Sequence, residues 1–139
     1  MTTKEWLNRG RDLDKEINAL EQAKYEAYCS CTSTTNKLKD DTIKSDKNPN
    51  ANLERLAELN HQIDAKVDEL TEIKREIMRV VLKVEDEACR TLLAERYVYM
   101  KTWEQIAEIL AAESSTVRGR LHNTAIYLCA TYCGIKNEA

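Results

Sequence analysis

The sequence predicts an all-α protein, with a long N-terminal antiparallel coiled-coil hairpin followed by a C-terminal helix-turn-helix bundle. Three observations point that way. The 139 residues include three Gly, one Pro and no Phe, against many Ala, Leu, Glu, Lys and Arg, a usage that favours helices over sheets. Apolar residues recur at spacings of three, four and seven over most of the chain, which is helical periodicity. From Thr102 onward the pattern breaks into two shorter helices around a small-residue turn. The length suits one small domain plus an extended element, not two large cores.

The first helix is expected after Thr2 and Thr3, either of which offers a capping hydroxyl. Trp6, Leu13, Ile17, Leu20 and Ala27 form one apolar stripe, while Lys4, Glu5, Asp12, Asp14, Lys15, Glu16 and Glu21 occupy the other faces. Residues 30–36 weaken the helix, because Ser, Thr and Asn side chains compete for backbone hydrogen bonds. The polar stretch 39–52 contains Asn48-Pro49-Asn50, and its proline holds the preceding residue extended, so this stretch is read as the hairpin loop. The second helix shows Leu56, Ile63, Leu70, Ile77 and Val84 at seven-residue intervals, with Leu53, Val67 and Val81 on the adjoining seam position. This is a coiled-coil pattern. From Leu53 to Ala88 it would run about 50 Å at roughly 1.5 Å per residue, so it needs an antiparallel partner, which the first helix supplies. Asn60, Lys74 and Lys24 interrupt the seam with polar groups, a device that sets register or oligomer state. A homodimer of two hairpins is therefore expected, with the hairpin spanning residues 1–88.

Residues 89–139 form the second expected domain. Leu92, Leu93, Arg96 and Tyr97 precede a turn at Met100-Lys101-Thr102. Thr102-Trp-Glu-Gln105 has the form of a capping box, a hydroxyl followed three residues later by Gln. The helix it opens carries Ile106 and Leu110 on one face, with small Ala107 where a second helix must cross. Ala111-Ala112-Glu113 makes the connection, and Ser114 or Ser115 is expected to cap the next helix, with Val117 and Leu121 facing inward. Tyr97, Tyr99, Tyr127 and Tyr132 are expected to finish the core, with their hydroxyls at its edge.

The outer arc of that last helix carries the functional expectation. Ser115, Thr116, Arg118, Gly119 and His122 are the candidates for reading base edges, and Ser114, Arg120 and Asn123 for holding the DNA backbone. An Arg near the start of a helix in the major groove reaches guanine O6 and N7 as a bidentate pair. Phosphate contacts hold position without reading sequence. Gly119 costs about 1 kcal/mol relative to Ala in a helix, which fits equally with something approaching closely and with a tolerated neutral substitution.

Charge agrees with a local rather than a general basic surface. The net charge is -3, yet residues 1–89 carry 15 basic and 19 acidic side chains while residues 90–139 carry 6 basic and 5 acidic. No acidic residue lies between Glu113 and Glu138. A nonspecific nucleic-acid coat is thereby disfavoured. No apolar run is long enough to span a bilayer and no signal-peptide pattern opens the chain, so no membrane contact and a cytoplasmic location are expected. The five cysteines are odd in number and scattered, as reduced structural thiols are. Cys129 and Cys133 share a helical face, but without a CxxC pair or a second close histidine no metal site is expected. Neither a Gly-rich phosphate loop nor a base beside a nucleophile is present; no enzyme activity, catalytic residue or cofactor is expected.

Trp103-Glu-Gln-Ile-Ala-Glu-Ile-Leu and Ser115-Thr-Val-Arg-Gly-Arg-Leu-His-Asn-Thr-Ala resemble the helix-turn-helix of region 4 of sigma-70-class RNA polymerase factors, and Leu92-Leu-Ala-Glu-Arg-Tyr97 resembles its lead-in helix. The likeness covers about 45 residues, and Ala111 stands where that family often has Gly. A long acidic hairpin followed by this module is similar to small phage- and prophage-encoded regulators of Gram-positive bacteria, among them activators of late genes. The resemblance implies a sequence-specific regulator of transcription in the bacterial host cell, with double-stranded DNA and RNA polymerase as partners. Two other classes remain open on the sequence: a small terminase-like packaging subunit, and a coiled-coil protein-interaction adaptor.

Overall fold

The protein is all-α. The computed structural model describes residues 1–32 and 49–134, and no strand occurs among them. Helix α1 (Thr3–Thr32) opens with a reciprocal capping box. The Glu5 amide donates to Thr2 Oγ1 at 3.2 Å and the Thr2 amide donates to Glu5 Oε1 at 2.8 Å. Thr2 is thus the cap. Thr3, the other candidate, is fully buried with its hydroxyl 3.7 Å from Cys133 Sγ.

Helix α2 (Pro49–Val81) begins earlier than the expected loop allows. Proline is well suited to a first helical position, where its missing N–H would have no partner anyway. Residues 49–52 therefore belong to α2, and the rest of the expected loop, residues 39–48, lies outside the described residues. At its other end α2 stops at Val81 instead of running to Ala88. The Lys83 and Val84 amides bond back to the carbonyls of Val80 and Val81, each at 3.0 Å, and tighten the last turn. Asp86 then caps α3 (Glu87–Tyr97), its carboxylate accepting from the Cys89 amide at 3.1 Å.

The chain divides into two compact units, Met1–Leu13 with Leu70–Ala139, and Asp14–Glu69. In the latter, Ile17 and Ala27 of α1 are buried, as are Leu59 and Ile63 of α2. Lys66 reaches Glu16 at 2.8 Å, an exposed pair of the kind that adds little stability. The apolar stripe of α2 differs from the expected one on one flank. Leu59 and Ile73 are buried, whereas Leu53 is 58% and Val67 41% exposed. Either flank satisfies a seven-residue repeat, and the repeat alone does not choose between them.

In the other unit, Trp6, Leu7 and Leu13 of α1 and Ile73, Ile77 and Val81 of α2 are buried along with Cys89, Leu92, Leu93 and Tyr97 of α3. Arg11 donates to the Arg96 carbonyl at 3.1 Å. A Cβ on Gly10 would lie 3.4 Å from Met100 Cε and 3.5 Å from the Tyr97 carbonyl. The first turns of α1 thus pack with the C-terminal helices, so the compact units part within α1 and α2 and not at residue 89.

Helix α4 (Trp103–Leu110) has the expected capping box, with the Gln105 amide on Thr102 Oγ1 at 3.2 Å and the Thr102 amide on Gln105 Oε1 at 3.0 Å. It ends at Ala111, held in the left-handed region at φ 54° and ψ 46°. The Ala111 amide bonds Glu108 O and the Ala112 amide bonds Ala107 O, the pairing that closes a helix and reverses the chain. Helix α5 (Ser114–Thr116), a π-helical turn (Val117–Leu121) and α6 (His122–Cys133) follow as one uninterrupted helical run.

Candidate nucleic-acid interface

A three-residue turn joins Trp103–Leu110 to the helical run that starts at Ser114, and burial shows which side chains face outward. Ile106 and Ala107 of α4 are buried, and so is Val117 at the start of the second segment. Glu113 occupies the capping position without a side-chain cap, and Ser114 and Ser115 lie inside the helix. The expectation that one of these serines caps it is therefore corrected: the helix begins one or two residues earlier than supposed.

Among the candidate DNA-contacting residues, Ser115, Thr116, Arg118, Arg120 and Asn123 are exposed, and Ser114 and Gly119 are of intermediate exposure. His122 does not belong to this set. It is only 5% exposed, and its Nε2 lies 2.6 Å from the Tyr97 hydroxyl. A side chain so enclosed cannot reach a base edge, and its assignment as a base contact is withdrawn.

The reason is the widened turn. The His122 amide reaches back to the carbonyls of Val117 and Gly119, and the bond to Val117 spans five residues instead of four. At roughly 100° per residue a regular helix would bring Leu121 inward under Val117 and leave His122 about 140° away. Instead Leu121 is half-buried, and the buried stripe runs Val117, His122, Ala125, Cys129.

His122 is the centre of a small polar and aromatic cluster. Trp103 meets its ring edge-on, with centroids 4.8 Å apart, and the Arg96 guanidinium lies 4.1 Å over the Trp103 ring. Burial, helped by the positive charges of Lys4 and Arg96, pushes the His122 pKa down to about 4. Burial likewise raises the Tyr97 phenol to about 12. The imidazole is thus neutral near pH 7, and it shares one hydrogen bond with the phenol. Tyr97, which the sequence suggested as a core residue, and Trp103 both pack against His122 behind the candidate interface. Of the other tyrosines expected to finish the core, Tyr99, Tyr127 and Tyr132 are exposed.

Arg118 and Arg120 are exposed on the helical run, and Glu104, Glu108 and Glu113 are exposed on α4 and the turn before that run. Thr124 donates to the Arg120 carbonyl at 3.1 Å, giving that carbonyl a partner beside the widened turn. The thiols of Cys89 and Cys129 are buried, and burial first raises their pKa values to about 11 and about 12. No group of three or more His, Cys, Asp or Glu among the described residues is placed to hold a metal ion. No helix among them is long and apolar enough to cross a membrane.

No protein-family model matches the chain, and neither a curated protein nor a solved structure matches it.

Proposed function

We propose that this protein binds double-stranded DNA in a sequence-specific way and regulates transcription, with the helical run 114–133 as its recognition helix. The observation that carries the reading is the division of that run into two sides. Val117, His122, Ala125 and Cys129 anchor one side, and the other presents Ser115, Thr116, Arg118, Arg120 and Asn123 to solvent. Helices that read the major groove are built this way, with a packed back and a front of hydrogen-bonding side chains. Arg118 is the base-reading residue in this reading, and Arg120 the phosphate contact. The role in transcription, with RNA polymerase as a partner and a phage-type bacterial setting, rests on the sigma region 4 resemblance. The action is one of binding and not of catalysis. Homodimer formation is part of the same proposal, and a solution mass above the 16.0 kDa of the chain is its test.

Selection from a random duplex library at low and moderate salt tests the DNA reading directly. The wild type is expected to enrich one motif. Arg118→Ala should degrade that motif, and Arg120→Ala should weaken all sequences and flatten the salt dependence. A wild type that enriches nothing, with both variants behaving the same, removes the proposal.

A further inference from the structure

The widened turn breaks the helix periodicity by one residue, and no more. From Val117 the buried stripe steps five to His122, then three to Ala125 and four to Cys129. With one residue fewer, the first step would be four and the whole stripe would fit a regular helix. Arg118, Gly119 and Arg120 are the residues that could supply the extra position, for they lie between Val117 and half-buried Leu121. Gly119 is the middle one, and a Cβ built on it would meet nothing within 4 Å. No packing among the described residues accounts for a glycine there, although glycine disfavours a helix interior. An i→i+5 turn is uncommon and found often at functional sites.

We infer that Gly119 is a one-residue insertion in the recognition helix that spreads Arg118 and Arg120 to either side of a floor without side-chain atoms, over which duplex DNA comes close. This rests on the DNA-binding reading above and assigns a specificity role to the turn itself. The insertion makes room for both arginines to flank the approach. Without it they become sequence neighbours, about 100° apart around the axis, with no gap between them. Exposed Arg118 and Arg120 then differ from the usual pair of helix-surface cations in having an open backbone surface between them.

Deletion of Gly119 and Gly119→Leu, each compared with wild type by thermal melting and by duplex selection, separate the two halves of the inference. The deletion is expected to melt within a few degrees of wild type or higher, because the stripe from Val117 to Cys129 becomes regular, and to lose the enriched motif. Gly119→Leu is expected to melt at or a few degrees above wild type, since the space above it is open and leucine favours a helix over glycine, and to bind the enriched duplex about tenfold more weakly or worse. A deletion that melts more than about 10 °C lower overturns the insertion. Gly119→Leu binding as tightly as wild type overturns the open floor. If wild type enriches no motif, the DNA reading and the floor both fall, and the melting of the deletion alone decides whether Gly119 is an insertion.

Discussion

The Tyr97 hydroxyl and His122 Nε2 lie 2.6 Å apart and fully enclosed, joining the last turn of α3 to the first turn of α6. The contact fixes the point at which the helical run changes from its widened turn back to regular geometry. Folding around it depends on a neutral ring, because burial and the nearby positive charges of Lys4 and Arg96 disfavour the charged one.

That dependence gives a pH signature. The pKa of His122 is lowered from 6.5 to about 4, by burial first and then by Lys4 and Arg96. Between those values the unfolded chain takes up a proton that the folded chain does not, so stability is full above the upper value and falls as pH drops through the window. The loss is on the order of 3 kcal/mol once pH reaches the lower value. Melting temperature followed from about pH 7 to about pH 4 should fall more steeply for wild type than for His122→Gln. Parallel slopes would mean that the histidine is not held neutral.

Tyr97→Phe leaves the buried imidazole without its partner and should cost about 1–3 kcal/mol in denaturant unfolding. The Tyr97→Phe/His122→Leu double variant should lose less than the sum of the two single variants, because neither polar group is then orphaned. Strict additivity would show that the two side chains are not coupled.

Ala111 holds a left-handed conformation that costs a residue with a Cβ about 1 kcal/mol. Ala111→Gly should therefore raise stability by roughly 0.5–1 kcal/mol, the relief of strain being partly offset by the greater freedom of glycine in the unfolded chain. A lower melting temperature would contradict the backbone geometry of the turn.

Ile77 is fully buried and Leu53 is mostly exposed, although both fall on the expected coiled-coil seam. Ile77→Ala should cost about 2–5 kcal/mol, and Leu53→Ala about 0.5 kcal/mol or less. Comparable losses would place the seam on the other flank of α2.

Alkylation of the native protein at pH 8 should leave Cys89 and Cys129 unmodified, since burial both covers these thiols and holds them protonated. Peptide mapping by mass spectrometry reads this out. Prompt labelling of either would mean that the core around α3 and α6 opens readily.

Much of the helix plan is legible in the sequence because it depends on local chemistry. The capping box of Thr102 and Gln105 is spelled out in four consecutive residues. Asp86 carries an equally local signal, an acidic cap three residues before Cys89, but the heptad through Val84 obscures it. The flank of α2 that becomes buried is set by α1, which no repeat within α2 can indicate. The candidate interface shows the same limit more sharply. Exposed Arg118 and Arg120 follow from ordinary helical spacing, whereas the inward position of His122 depends on a bond that skips one residue. A polar histidine beside two arginines reads as surface until Tyr97, twenty-five residues earlier, supplies its partner.

Thr3 touches Cys133, 130 residues along the chain, and Gly10 lies against Tyr97 and Met100. Such distant pairing carries an entropic delay in folding. During synthesis Thr3 waits for Cys133 until the last helix is made. A fragment beginning at residue 89 would keep every candidate interface residue and still lack part of its own core. Transplanting the recognition helix into another protein therefore requires the opening turns of α1 to travel with it.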